Sequence, residues 1–223
     1  MSFKLFISAI LKFALGVILV GALLFLPAGT LHFTAGWLLM GILFVPMFIA
    51  GLVMMAKNPE LLKKRLNAKE KLGEQQLVVK LSGLMFIVGF VLAGLDFRFN
   101  WCRMPFIVSI VGAVLFLISY IFYAEVLREN TYLSRTIEVQ ENQKVISTGL
   151  YGIVRHPMYS ATLLLFISMP LVLGSIVALP VFLLYPFIIA KRIKSEEKLL
   201  SEELVGYKEY TEKVKYRLIP FIW

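Results

Sequence analysis

A chain of 223 residues that is 59% hydrophobic and 17% charged, with mean hydropathy +0.82, lies outside soluble-domain composition, where about 45–50% of residues are apolar. Its net charge of +9 is gathered into a few polar segments, the pattern of loops beside anionic lipid, so no nucleic-acid partner is read from it. The single cysteine, Cys102, excludes an internal disulfide and a cysteine-rich zinc or iron–sulfur site, and the length leaves no room for a separate soluble domain of ordinary size.

The first apolar stretch runs from about Leu5 to Leu26, with Lys4 and Lys12 at its start. Phe25-Leu26-Pro27-Ala28-Gly29 offers no small-x-small cleavage site, so the stretch is expected to be a retained membrane helix rather than a signal peptide. Pro27-Ala28-Gly29-Thr30 predicts a turn. A second span covers about Phe33 to Met55 and holds Pro46, which membrane helices tolerate. A polar segment of about 56–80 follows, with a short interfacial helix expected from Pro59 to Leu66. The third span is about Leu77 to Phe97, with Asn100, Trp101 and Arg103 at its interface, and the fourth about Pro105 to Leu127.

Beyond the longest polar stretch, Arg128 to Tyr159, lies an apolar segment of about 160–190 that is long for one helix and short for two full spans. Gly174-Ser175 divides it and Pro170, Pro180 and Pro186 punctuate it, which fits a helical hairpin with shortened arms and an amphipathic tail after Lys191. The fold class expected is an all-α integral membrane protein. It has four transmembrane helices in residues 1–127 and a region 128–223 that carries the chemistry, built of polar loop, hairpin and tail. Basic residues set the orientation. Lys57, Lys63, Lys64, Arg65, Lys69, Lys71 and Lys80 lie between spans two and three, and Arg128, Arg135, Lys144, Arg155 and the basic tail follow span four. Only Arg98 and Arg103 lie between spans three and four. The positive-inside rule then places both termini and the long polar segments in the cytoplasm, in a multi-pass protein of the cytoplasmic membrane.

The two ends of the hairpin must meet at its base. They bring together Arg155, His156 and Tyr159 from one side and Arg192, Glu196 and Glu197 from the other. Polar groups at a membrane surface beside an apolar cavity suit an enzyme that joins a water-soluble cofactor to a lipid. Each residue also has a plainer role: His156 as a helix-start residue before Pro157, Arg155 as a snorkelling cation, and Glu196 and Glu197 as a solvated face with Lys191 and Arg192. Tyr207 and Tyr210 read as interfacial anchors, Asp96 and Arg98 as an interfacial pair, and His32 as inert. One relevant histidine and two carboxylates fall short of a zinc shell, so no metal site is read. No glycine-rich dinucleotide fingerprint or activated nucleophile is visible.

The segments Gly149-Leu150-Tyr151 and Arg155-His156-Pro157-Met158-Tyr159, then Arg192, Glu196-Glu197, Leu200, Tyr207, Tyr210, Arg217 and Pro220, resemble the isoprenylcysteine carboxyl methyltransferase family and the related phospholipid methyltransferases. Asn130 through Gln140 resembles that family's approach to the site, and the resemblance covers about the last 95 residues. It implies S-adenosyl-L-methionine as cofactor, with contacts from Gln140, Gln143, Lys144, Val145, Ile146, Tyr151, His156, Pro157, Met158, Tyr159 and Glu196. It implies that Arg192 handles the reacting end of the acceptor; Arg155, Glu196 and Glu197, brought beside it at the hairpin base, complete the catalytic candidates. Ala161 stands where the family often has glycine, and Lys215-Tyr216 where a proline often follows Val214.

Methyl transfer suits these residues, because the cofactor carries its own electrophile and the protein need only position it and exclude water. A carboxylate acceptor needs a cation such as Arg192; an amine acceptor needs a base, Glu196 or Glu197. The leading expectation is a membrane methyltransferase acting on a lipid or a prenylated, isoprenylcysteine-like carboxylate. The alternatives are a phospholipid N-methyltransferase, an NADPH-dependent reductase of sterol-reductase type, and a non-enzymatic lipid-binding protein. The sequence points to no particular oligomeric state.

Overall fold

The computed structural model of the protein describes residues 3–66, 73–133 and 139–223. Lys69, Lys71 and Arg135, used above for orientation, lie outside the described residues. Helix α1 (Phe3–Ala28) passes through Pro27 and stops at Gly29, whose φ of 68° is the left-handed conformation that ends helices. The turn therefore begins two residues later than its proline suggests. Helix α2 (Thr34–Lys57) carries Pro46 inside it. Short α3 (Pro59–Leu66) starts with proline in its first position, and the Asn58 side chain accepts a hydrogen bond from the Leu61 N–H at 3.1 Å. Its Leu61 and Leu62 are buried, while Lys12 Nζ donates to Leu66 O at 2.7 Å and Arg65 Nη2 to the Tyr123 hydroxyl at 2.8 Å. Helices α4 (Gly73–Phe99) and α5 (Phe106–Glu129) follow. Helices α1, α2, α4 and α5 are each long and apolar enough to cross a membrane, the architecture of a multi-pass membrane protein. Among the described residues there is no strand, only one antiparallel bridge between Arg103 and Ser175.

After a 3₁₀ turn at Gly149–Gly152 comes the hairpin: α6 (Pro157–Val172), a tight turn, short α7 (Leu179–Phe182) and α8 (Tyr185–Glu203). Helix α9 (Tyr207–Lys213) ends the helical part. The 16 residues of α6 rise about 24 Å, less than a full bilayer core. Its far end nevertheless reaches the α4–α5 loop, where Met104 N–H donates to Gly174 O at 2.9 Å. At the same place Asp96 is buried and accepts from the Ser175 hydroxyl at 2.5 Å and the Cys102 N–H at 2.9 Å. Asp96 thus fastens the hairpin tip to the loop; it is not the partner of Arg98, whose guanidinium lies over the Phe99 ring. Nor does the second arm end near Ala190: α8 runs unbroken to Glu203, so the first part of the polar tail is the same helix leaving the apolar layer.

Small residues set how closely the helices approach. A Cβ on Gly112 of α5 would lie 2.7 Å from Val172 N and 2.8 Å from Leu171 Cβ of α6, and one on Gly94 of α4 would lie 2.6 Å from Leu24 O of α1. Without a hydrophobic force between helices in lipid, such close packing is a main source of cohesion. Phe86 and Phe90 of α4 meet Phe182 of α7, with ring centroids 5.9 and 5.8 Å apart, and so hold the broken second arm against the bundle.

Candidate functional site

The site sits where α6 begins and α8 leaves the apolar layer. Pro157 occupies the first turn of α6, where its missing N–H costs nothing. The two residues before it are held by the chain end: Arg155 N–H donates to Tyr216 O and His156 N–H to Arg217 O, both at 2.9 Å. The Ser160 hydroxyl donates to Leu218 O at 2.5 Å. A terminal strap, residues 214–218, therefore clamps the start of α6.

On α8, Arg192 and Glu196 are four residues apart and share one face, which looks onto Tyr159. Arg192 Nε donates to the Tyr159 hydroxyl at 2.9 Å, and that hydroxyl donates to Glu196 Oε2 at 2.6 Å. Glu197, about 100° further round the helix, faces elsewhere. Its Oε1 lies 2.8 Å from Arg155 Nε, an ion contact without hydrogen-bond alignment, and 3.3 Å from His156 Nε2. Its Oε2 accepts from Arg217 Nε at 2.7 Å. Burial pushes the Glu197 carboxyl up, but the hydrogen bonds with His156 and Arg217 and the charges of His156 and Arg155 outweigh it and hold the group below its ordinary value.

Between these groups opens a cleft of about 830 Å³, a volume that includes its solvent-filled mouth. Of the sequence-predicted residues, Gln143, Lys144, Val145, Ile146, Tyr151, Arg155, His156, Met158, Tyr159, Arg192 and Glu196 line it. Three others do not. Gln140 lies behind the wall, its side chain donating to Tyr132 O while its own N–H donates to Gln143 Oε1 at 2.9 Å. Pro157 is buried in the first turn of α6. Glu197 is not part of the cavity lining; it is encircled by the three basic side chains Arg155, His156 and Arg217.

Sequence reading gave no site role to the rest of the wall, although several of its residues carry the family resemblance. Asn130, Tyr132, Leu133, Leu200, Leu204, Tyr207 and Tyr210 also line the cavity. Asn130 Nδ2 donates to the Tyr151 hydroxyl at 2.9 Å, and the Tyr210 hydroxyl to Tyr151 O at 2.7 Å. Tyr207 and Tyr210 are buried, not interfacial anchors. The signal was present: Leu204, Tyr207, Tyr210 and Val214 recur every three to four residues among charged neighbours, which marks a buried helix face. Burial pushes the Tyr151 phenol up to about 12 and those of Tyr207 and Tyr210 higher still, so all three stay protonated and able to donate at neutral pH. Among the described residues no cluster of three or more metal-ligating side chains occurs.

This region is where known proteins match. The model of the phospholipid methyltransferase family matches residues 107–205, from the start of α5 to just past α8. A Delta(14)-sterol reductase of Mus musculus is 28% identical over 91 residues, which is 40% of this chain. The match spans only 22% of that reductase's length.

Proposed function

We propose that the protein is a membrane methyltransferase that uses S-adenosyl-L-methionine and acts on a lipid or lipidated acceptor. The observation that carries this reading is the cavity at the hairpin base: most of its lining falls inside the segment matched by the phospholipid methyltransferase family. The donor set fits the cofactor. Val145, Ile146, Leu133, Leu200 and Leu204 offer apolar walls for a flat base, while Gln143, Tyr151, Arg155, His156 and Glu196 offer polar groups for a sugar and a zwitterionic end. When bound, S-adenosylmethionine supplies an electrophilic methyl group. The residues of the chain bind, orient and exclude water.

Within that class, the acceptor we infer is a carboxylate of the isoprenylcysteine type. Arg192 supports this: it is a buried cation on the cavity wall, its direction fixed by Tyr159. Such a guanidinium holds a carboxylate ionised and oriented. Glu196, bonded to the Tyr159 hydroxyl, is the base an amine acceptor would require, and phospholipid N-methylation is the second acceptor reading. Reduction with NADPH is a further reading, favoured by the similarity to a sterol reductase. Calorimetric titration of the purified protein in detergent separates them. S-adenosylhomocysteine is expected to bind and NADPH not to; the reverse result would replace the methyltransferase reading with the reductase one. Methyl transfer to a prenylcysteine but not to phosphatidylethanolamine would then fix the acceptor.

A further inference from the structure

Among the described residues, two buried side-chain polar atoms have no hydrogen-bond partner, Arg155 Nε and the Tyr207 hydroxyl. Both residues line the cavity at the hairpin base. Tyr207 is 4% exposed, and an unsatisfied buried donor is costly enough that native structures rarely keep one without a use. Its neighbour on α9 behaves differently: the Tyr210 hydroxyl is fully engaged with Tyr151 O at 2.7 Å. The two glutamates of α8 bond other groups. Glu197 is held by Arg217, His156 and Arg155, and Glu196 by the Tyr159 hydroxyl.

We propose that Tyr207 is a ligand-binding residue whose phenol donates a hydrogen bond to a carboxylate carried by the molecule that fills the cavity. The Arg155 guanidinium and the Lys144 ammonium line the same space and suit an anionic group there. Burial keeps the phenol protonated, so it is a donor and not a competing anion. The inference rests on the methyltransferase reading, in which the amino-acid end of S-adenosylmethionine brings that carboxylate.

The test uses Tyr207→Phe in the full chain, with two probes: S-adenosylhomocysteine and its decarboxylated analogue. Because the hydroxyl has no partner within the chain, the melting temperature without ligand should stay the same or rise slightly. Affinity for S-adenosylhomocysteine should fall about tenfold, the size expected for one hydrogen bond to a charged group. The decarboxylated analogue should bind wild type and variant alike, since the two deletions remove the same contact. Unchanged affinity for S-adenosylhomocysteine would overturn the assignment, as would equal losses for both probes or a drop in melting temperature alone. Failure of the wild-type protein to bind S-adenosylhomocysteine is a different result, which would overturn the methyltransferase reading and this inference with it.

Discussion

Glu196 and Glu197 are adjacent in sequence and differ in everything the structure gives them. One turns to the cavity and Tyr159; the other turns to Arg155, His156 and Arg217. From sequence the pair was legible as a unit, because its spacing from the Arg155–Tyr159 segment placed both at the hairpin base. The division of labour was not, because it depends on where a non-local strap brings Arg217. Glu197→Gln would leave three basic side chains around a neutral amide, and removing one partner of a buried ion cluster costs about 3 kcal/mol or more. Its carboxyl is held below the ordinary value, so its stabilisation is fully present above the unfolded pKa, about 4.3, and fades as pH falls through the lower folded value. Thermal unfolding in detergent should show a large deficit for Glu197→Gln at pH 7 that narrows in acid, as the wild type loses its own anion. A deficit independent of pH would mean that the carboxylate charge is not what stabilises the cluster.

At the scale of elements, hydropathy located the four long helices to within a few residues and the division of the hairpin at Gly174, whose φ of 67° needs glycine. It misplaced the end of the second arm, because hydropathy reports where a helix leaves the apolar layer and not where its hydrogen bonds stop. Lys191 changes the solvent of α8 without breaking it. That continuity is what carries Arg192 and Glu196 rigidly from the apolar arm to the site. The close approach of α5 and α6 was also invisible to composition, since Gly112 reads as one more small residue in an apolar run. A side chain there would sit within 3 Å of α6 backbone and force the helices apart. Gly112→Val should therefore cost about 1–3 kcal/mol by overpacking. Because α6 begins at Pro157, directly after His156, the displacement should also reach the cavity. A lowered melting temperature accompanied by weaker ligand binding is the expected outcome; unchanged values of both would show that α6 is free to shift without moving the site.

At the scale of the whole molecule, the cavity lies at one end of the bundle, and the Asp96–Ser175–Cys102 contact at the other, where the hairpin tip meets the α4–α5 loop. Basic residues are dense at the cavity end, with Lys57, Lys63, Arg65, Arg128 and Lys144, and sparse at the tip, where Arg98 and Arg103 stand between α4 and α5. We infer from that asymmetry that the cavity faces the cytoplasm, where a soluble cofactor would reach it, and that the tip faces outward. The chain contains one cysteine, Cys102, and it is exposed at the tip, which makes the inference directly testable. A membrane-impermeant maleimide added to intact cells should label Cys102. In a Cys102→Ser background, which keeps the backbone N–H that bonds Asp96, Lys198→Cys on the exposed face of α8 should label only after the membrane is permeabilised. Opposite labelling of the two positions would invert the protein in its membrane. Labelling of both from the same side would mean that α5, the long apolar helix between Cys102 and α8, does not carry the chain across, since a hairpin that returns to its own side leaves the sidedness of Lys198 unchanged.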